Sequence, residues 1–213
     1  VVFAGWYEND KYTGNPVSSD FVSGTHYYAK WTLNGTTVVT STVTIKNNAI
    51  SPSGIEGAGI SWDRVTRALV LNNAAILVPG EKGAIDSDST LTVCLVGNST
   101  VKGGNFGVAS DDNLTIRPLG SAGSLTAGGF KGLHADGDLT IKDGAVVDAK
   151  GTGTVAIYAY DTVKIEGTAT KVTAECTGDS YPMGVFGRNG VAISGAEVTV
   201  NSDKYGIVCE QGD

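Results

Sequence analysis

Three sets of side chains in this sequence have the types and spacing to do chemistry. The first is aromatic and basic: Tyr158, Tyr160, Tyr181 and Phe186, with His134 and Arg188 among them. Flat rings beside polar donors suit a sugar, whose C–H faces lie on aromatic surfaces while its hydroxyls take hydrogen bonds. The second is acidic. Asp88, Asp111 and Asp136 each stand three residues ahead of a Leu-Thr-apolar triplet, with Asp86, Asp112 and Asp138 beside them. Were those triplets equivalent strands, the carboxylates would fall in register. With turn carbonyls they could then hold calcium, which takes about six to eight oxygens. The competing reading is that aspartate suits turns and stays solvated, and it is the one we favour for these positions. The third set, Asn73 and Asn98 with Thr92, Thr115 and Thr140, recurs in a way that suits side-chain ladders rather than a ligand.

Catalysis has little to build on. The histidines are His26 and His134, and no G-x-S-x-G run is present. Cys94, Cys176 and Cys209 are odd in number, widely spaced and without a C-x-x-C pair. They read as buried small hydrophobes, not as a disulfide framework or a zinc site. No enzyme activity is expected.

What would position the candidate residues is an internal repeat. The triplets Leu69-Val70-Leu71, Leu91-Thr92-Val93, Leu114-Thr115-Ile116, Leu139-Thr140-Ile141, Val163-Lys164-Ile165 and Val191-Ala192-Ile193 start 22, 23, 25, 24 and 28 residues apart. Each is followed by a second short run: Ala75-Ile76, Thr100-Val101, Leu125-Thr126, Val146-Val147, Val172-Thr173 and Val198-Thr199. A third run then contains Ile85, Val108, Leu133, Ile157, Val185 or Ile207. Gly, Asn, Asp and Ser bound the runs, and no helix-length window carries i, i+3, i+4 periodicity.

Three short strands per repeat, stacked about 4.8 Å apart, predict an all-β fold: a right-handed parallel β-helix of about six coils. A leucine-rich repeat of similar period needs L-x-x-L-x-L-x-x-N, which is absent. Leu114, Ile116, Leu139 and Ile141 belong to its inward row. With Ile157 and Val185 inward, the period of two turns Tyr158, Tyr160 and Phe186 outward on one face, beside His134 and Arg188. The longest repeat carries an insert, Cys176 to Pro182, whose Tyr181 is expected to overhang that strip. Residues 68–213 form the helix. Residues 34–67 are a linker and N-terminal cap, needed because an open first coil exposes strand edges.

Composition agrees. Apolar residues make up 41% of the 213 and charged ones only 17%, which fills a core and argues against disorder. A net charge of −7 and a pI near 4.8 exclude a general binder of nucleic acid or anionic membrane. The longest apolar stretch, Ala74 to Pro79, is too short to insert across a bilayer. The chain begins inside the apolar run Val1-Val2-Phe3 and ends at Gly212-Asp213, which reads as a piece of a longer protein.

Residues 1–33 differ in kind. Phe3-x-Gly5-Trp6-Tyr7, Gly14, Val17 and the closing Tyr28-Ala29-Lys30-Trp31 resemble the C-terminal part of a Listeria–Bacteroides repeat, the β-grasp-like B-repeat of internalin-type surface proteins. That resemblance implies a bacterial protein, secreted or attached to the cell wall, in which such repeats act as stalk or spacer modules. Gly59-Ile60-Ser61-Trp62, the Leu69–Ala74 run and Leu91-Thr92-Val93 through Gly97-Asn98-Ser99 resemble β-helical domains of bacterial surface proteins labelled carbohydrate-binding. The second likeness covers residues 59–213 but consists of structural repeat residues and names no ligand site. Together they imply an extracellular, monomeric binding or adhesion module that contacts glycan or a host surface protein. The alternatives are a structural spacer and a polysaccharide lyase or hydrolase. No cofactor is expected beyond the calcium considered for the acidic column.

Overall fold

The computed structural model describes the whole chain except residues 10, 11, 13, 19, 20, 34, 54, 179, 180 and 211–213, and the side chains of 56, 57 and 121. Strands β1 (Val2–Tyr7) and β2 (Tyr28–Leu33) pair antiparallel, and β2 pairs antiparallel with β3 (Thr36–Val39). β4 (Val43–Lys46) and β5 (Ala49–Ser51) form a hairpin across Asn47-Asn48, both at positive φ, a conformation asparagine tolerates in tight hairpin turns. A 3-10 turn, Ile55–Ala58, leads to β6 (Ile60–Asp63), antiparallel to β7 (Ala68–Asn72).

The remaining strands stack in parallel. They are β8 (Ala75–Leu77), β9 (Ile85–Ser87), β10 (Leu91–Lys102), β11 (Phe106–Ser110), β12 (Leu114–Ala135), β13 (Leu139–Ile141) and β14 (Ala145–Ala159). Then follow β15 (Thr162–Glu166), β16 (Lys171–Cys176), β17 (Met183–Gly187), β18 (Gly190–Ser194), β19 (Glu197–Ser202) and β20 (Tyr205–Cys209). Their pairings make three faces. The first runs β7, β10, β12, β13, β15, β18. The second runs β3, β8, β10, β12, β14, β16, β19. The third runs β4, β9, β11, β12, β14, β17, β20. This is the expected three-sided parallel β-helix, and β10, β12 and β14 continue round its corners, with breaks in register at Leu95/Gly97 and Gly129/Lys131. No helix among the described residues is long and apolar enough to cross a membrane.

The interior follows the side-chain alternation. Leu114, Ile116, Leu139 and Ile141 are all 0% exposed, as the repeat requires. Two registers differ from the sequence alignment. Leu69 lies opposite Val93, not Leu91, so the first coil is shifted by two residues and keeps the same side chains inside. On the second face Leu125 lies opposite Ser99, and Val147 opposite Val172. Adjacent Val146 and Val147 cannot both point inward, so Val146 faces out. Ser99 can occupy the inner row because its hydroxyl accepts a hydrogen bond from Ala74 N at 3.1 Å.

The 34–67 segment is more than a cap. Its β3 and β4 are themselves an opening part-coil, stacked in parallel on β8 and β9, while β6 covers the first face antiparallel. The asparagine ladder is also present: Asn73 Oδ1 accepts from Asn98 N at 3.0 Å, and Ser124 Oγ donates to Asn98 Oδ1 at 2.7 Å. Gly97, at φ +61°, is required there, because a Cβ would collide with the Asn73 amide. Of the cysteines, Cys94 and Cys176 are buried but Cys209 is exposed, since no described strand stacks on β20.

Candidate functional site

The third face carries the residues the sequence singled out. Val108, Leu133, Ile157 and Val185 occupy one inward row, coil on coil. Each next residue points out, giving the column Asp86, Ala109, His134, Tyr158, Phe186. Two residues further on, equivalent backbone bonds place Asp88, Asp111, Asp136, Tyr160 and Arg188 in a second column. Both columns are acidic on the early coils and become aromatic, then cationic or apolar, on the later ones. A tight corner lets the strands reach this position: a Cβ on Gly132 would sit 2.8 Å from both Ala156 O and Lys150 N.

Stacking at coil spacing decides how the rings lie. His134 and Tyr158 have centroids 4.9 Å apart with planes 5° from parallel, and Tyr158 and Phe186 are 5.3 Å apart at 7°. Phe106 closes the other end against His134 at 5.0 Å. The rings therefore stand on edge, each covering its neighbour's face. The open strip expected from alternation alone is thus corrected: Phe186 is 8% exposed, while Tyr160 keeps 47%. Tyr181 does not join them. It is 62% exposed, stacks on Tyr205 and holds Lys204 Nζ 3.6 Å above its ring. Residues 179 and 180 of the insert lie outside the described residues.

Beside the stack is a groove of about 420 Å³, lined by Tyr158, Tyr160 and Phe186, by Val155 and Met183, and by Lys131, Arg188 and Glu210. Sequence reasoning missed Lys131, Met183 and Glu210. The signal for Lys131 and Met183 was present, since both stand two residues before an inward Leu or Val of the third strand. Arg188 Cζ lies 4.6 Å from the Tyr160 centroid, and Lys131 Nζ 4.1 Å from that of Tyr158, both in cation–π range.

His134 is fixed by its neighbours. Lys131 Nζ donates to His134 Nδ1 at 3.0 Å, so the ring proton sits on Nε2 and is donated to Asp136 Oδ1 at 2.9 Å. Burial, and then the Lys131 charge, hold the imidazole below its ordinary pKa, with Asp136 opposing. Burial likewise lowers Lys131 and raises the Tyr158 hydroxyl. These directions describe a partly dehydrated patch holding a neutral histidine.

No protein-family model, curated protein or solved structure matches the chain.

The acidic column exists, but the carboxylates of Asp88 and Asp136 have separate partners. Asp88 Oδ2 accepts from Asn47 N and its Oδ1 from Ser89 Oγ, both at 3.1 Å, while Asp136 is taken by His134. Asp86 is raised by partial burial, then by the charges of Asp111 and Asp88. Among the described residues no three His, Cys, Asp or Glu side chains converge as metal ligands. Asp138 serves the ladder of turns, accepting from Thr162 N at 3.0 Å and from Lys164 Nζ at 2.5 Å.

Proposed function

We propose that this chain is a non-catalytic extracellular binding module of a bacterial surface protein, with glycan as its ligand and the third face as its contact surface. The observation that carries the reading is the groove beside the aromatic stack, where Tyr160 and Arg188 stand open next to the edges of Tyr158 and Phe186. With the ring faces covered, a sugar would be held by ring edges, the tyrosine hydroxyls and the two cations rather than by a single stacking platform. The non-catalytic part of this reading is supported by the groove lining, in which, among the described residues, Glu210 stands without a second carboxylate to pair with it as acid and base. Attachment to the cell surface rests on the likeness of residues 1–33 to a surface-protein repeat.

A glycan array probed with the intact chain tests the reading. Binding to at least one glycan, weakened about tenfold by Tyr160→Ala, is the expected result. Tyr160 is chosen because its exposed ring can be removed without opening the stack. A structural spacer is the second reading, favoured by how fully His134, Tyr158 and Phe186 satisfy one another. It gains if no glycan binds.

A further inference from the structure

The groove is cationic in an acidic protein. The formal net charge is −7, yet the charged side chains lining the groove are Lys131, Arg188 and Glu210, one cation in excess. Neither cation is firmly neutralised. Lys131 Nζ is directed to a neutral imidazole nitrogen at 3.0 Å and to the Tyr158 ring. Its partial burial disfavours the ammonium, with the charge of Asp136 opposing. Arg188 meets Glu210, whose Oε2 lies 3.3 Å from Nε and whose side chain is 58% exposed. Exposed pairs of this kind are weakly held, so an incoming carboxylate can take the place of Glu210. Such an anion would also relieve the dehydrated Lys131 ammonium. The same columns steer it: Asp86, Asp88, Asp111 and Asp136 repel an anion from the earlier coils and favour the end of the groove at Tyr160 and Arg188, with Lys131 across from it.

We infer that the groove selects sugars bearing a carboxylate, of the uronic-acid class, over neutral sugars with the same ring. The inference rests on the glycan reading above. Lys131 and Arg188 flank the rings and receive the carboxylate through charge-assisted hydrogen bonds, while Tyr158, Tyr160 and Phe186 meet the sugar.

An array printed with matched uronic-acid and neutral oligosaccharides, followed by calorimetric titration of one matched pair, separates the two ideas. Stronger binding of the uronic-acid members is expected. Equal or stronger binding of the neutral members overturns the acid preference and leaves the glycan module standing; binding of neither kind overturns both. Two variants then assign the residues. Glu210→Gln releases Arg188 and is expected to raise affinity for the acidic member about threefold relative to the neutral one. Lys131→Met is expected to lower acidic-member affinity about tenfold and neutral-member affinity by clearly less, so that the preference for the acidic member narrows. The gain in Glu210→Gln cannot arise from misfolding. Its failure to appear, or an equal gain for the neutral sugar, overturns the assignment.

Discussion

The first and third faces are built from the same coils, yet their outward columns differ in kind. On the first face Thr92, Thr115 and Thr140 lie opposite one another, followed by Lys164 and Ala192. On the third, Asp86 and Ala109 give way to His134, Tyr158 and Phe186, stacked ring on ring. Both faces bury the same kind of inward row, so the fold is satisfied equally by either column. Threonine suits an exposed β-face and needs no further explanation. A partly dehydrated stack with a lysine, an arginine and a neutral histidine beside it is not something the solenoid requires. That departure from the threonine face is what makes the third face the candidate site.

The contrast can be broken at its root by attacking what the two faces share. Ile141→Asp places an unpaired charge in the fully buried row and is expected to cost at least about 4 kcal/mol, read as a collapse of the urea midpoint. The same charge one residue away, in Thr140→Asp, points outward and should cost far less. A tolerated Ile141→Asp would remove the β-helix itself. Next in size is the stack. Tyr158→Ala should cost about 2 kcal/mol through lost ring contacts, whereas Thr140→Ala should stay within roughly 0.5 kcal/mol. Equal effects would mean that the two outward columns do not differ energetically.

A smaller effect sharpens the comparison through pH. His134 is held below its ordinary pKa by burial and by Lys131, so the unfolded chain binds a proton before the native one does. Its stabilising contribution is therefore full above the ordinary histidine value, about 6.5. It falls away as pH drops from there to the lowered native value. The melting temperature should decline as pH falls below about 6.5, and His134→Gln should flatten that decline. An unchanged slope would place His134 in water.

The smallest expected change lies on the acidic coils. Asp86 is raised, so its ionised form strains the native state at neutral pH, and that strain is relieved as pH falls through its raised value. Asp86→Asn should thus raise the melting temperature slightly at pH 7, with the gain fading in acid. Millimolar calcium is expected to leave the melting temperature unchanged. A rise abolished by Asp111→Asn and Asp136→Asn would instead make the column a metal site.

Much of this was legible in the sequence, because a solenoid repeats its own evidence. Leu114, Leu139 and Val163 recur at nearly constant spacing, and that alone specifies parallel stacking and the inward row. The same counting put Tyr158, Tyr160 and Phe186 on one outward face beside His134 and Arg188, without separating the two columns. Register was less legible where two apolar residues adjoin, as at Val146-Val147, or where a buried serine takes an apolar slot, as at Ser99. Ring orientation was not legible at all. Alternation says that Tyr158 points outward, but the roughly 5 Å spacing of successive coils decides that it stacks on His134 and Phe186 and hides its faces. Glu210 joins the groove through a contact between coils, which spacing within one repeat does not reveal.

What matters most is which face meets the ligand. Backbone amide shifts of the labelled chain, followed by NMR as the best-binding glycan of the array is titrated in, test this most directly. Perturbations are expected to gather around Lys131, Tyr158, Tyr160, Phe186 and Arg188, with Thr92, Thr115 and Thr140 unmoved. Perturbations gathered on the threonine column, or on the exposed Tyr181–Tyr205 pair, would contradict that expectation.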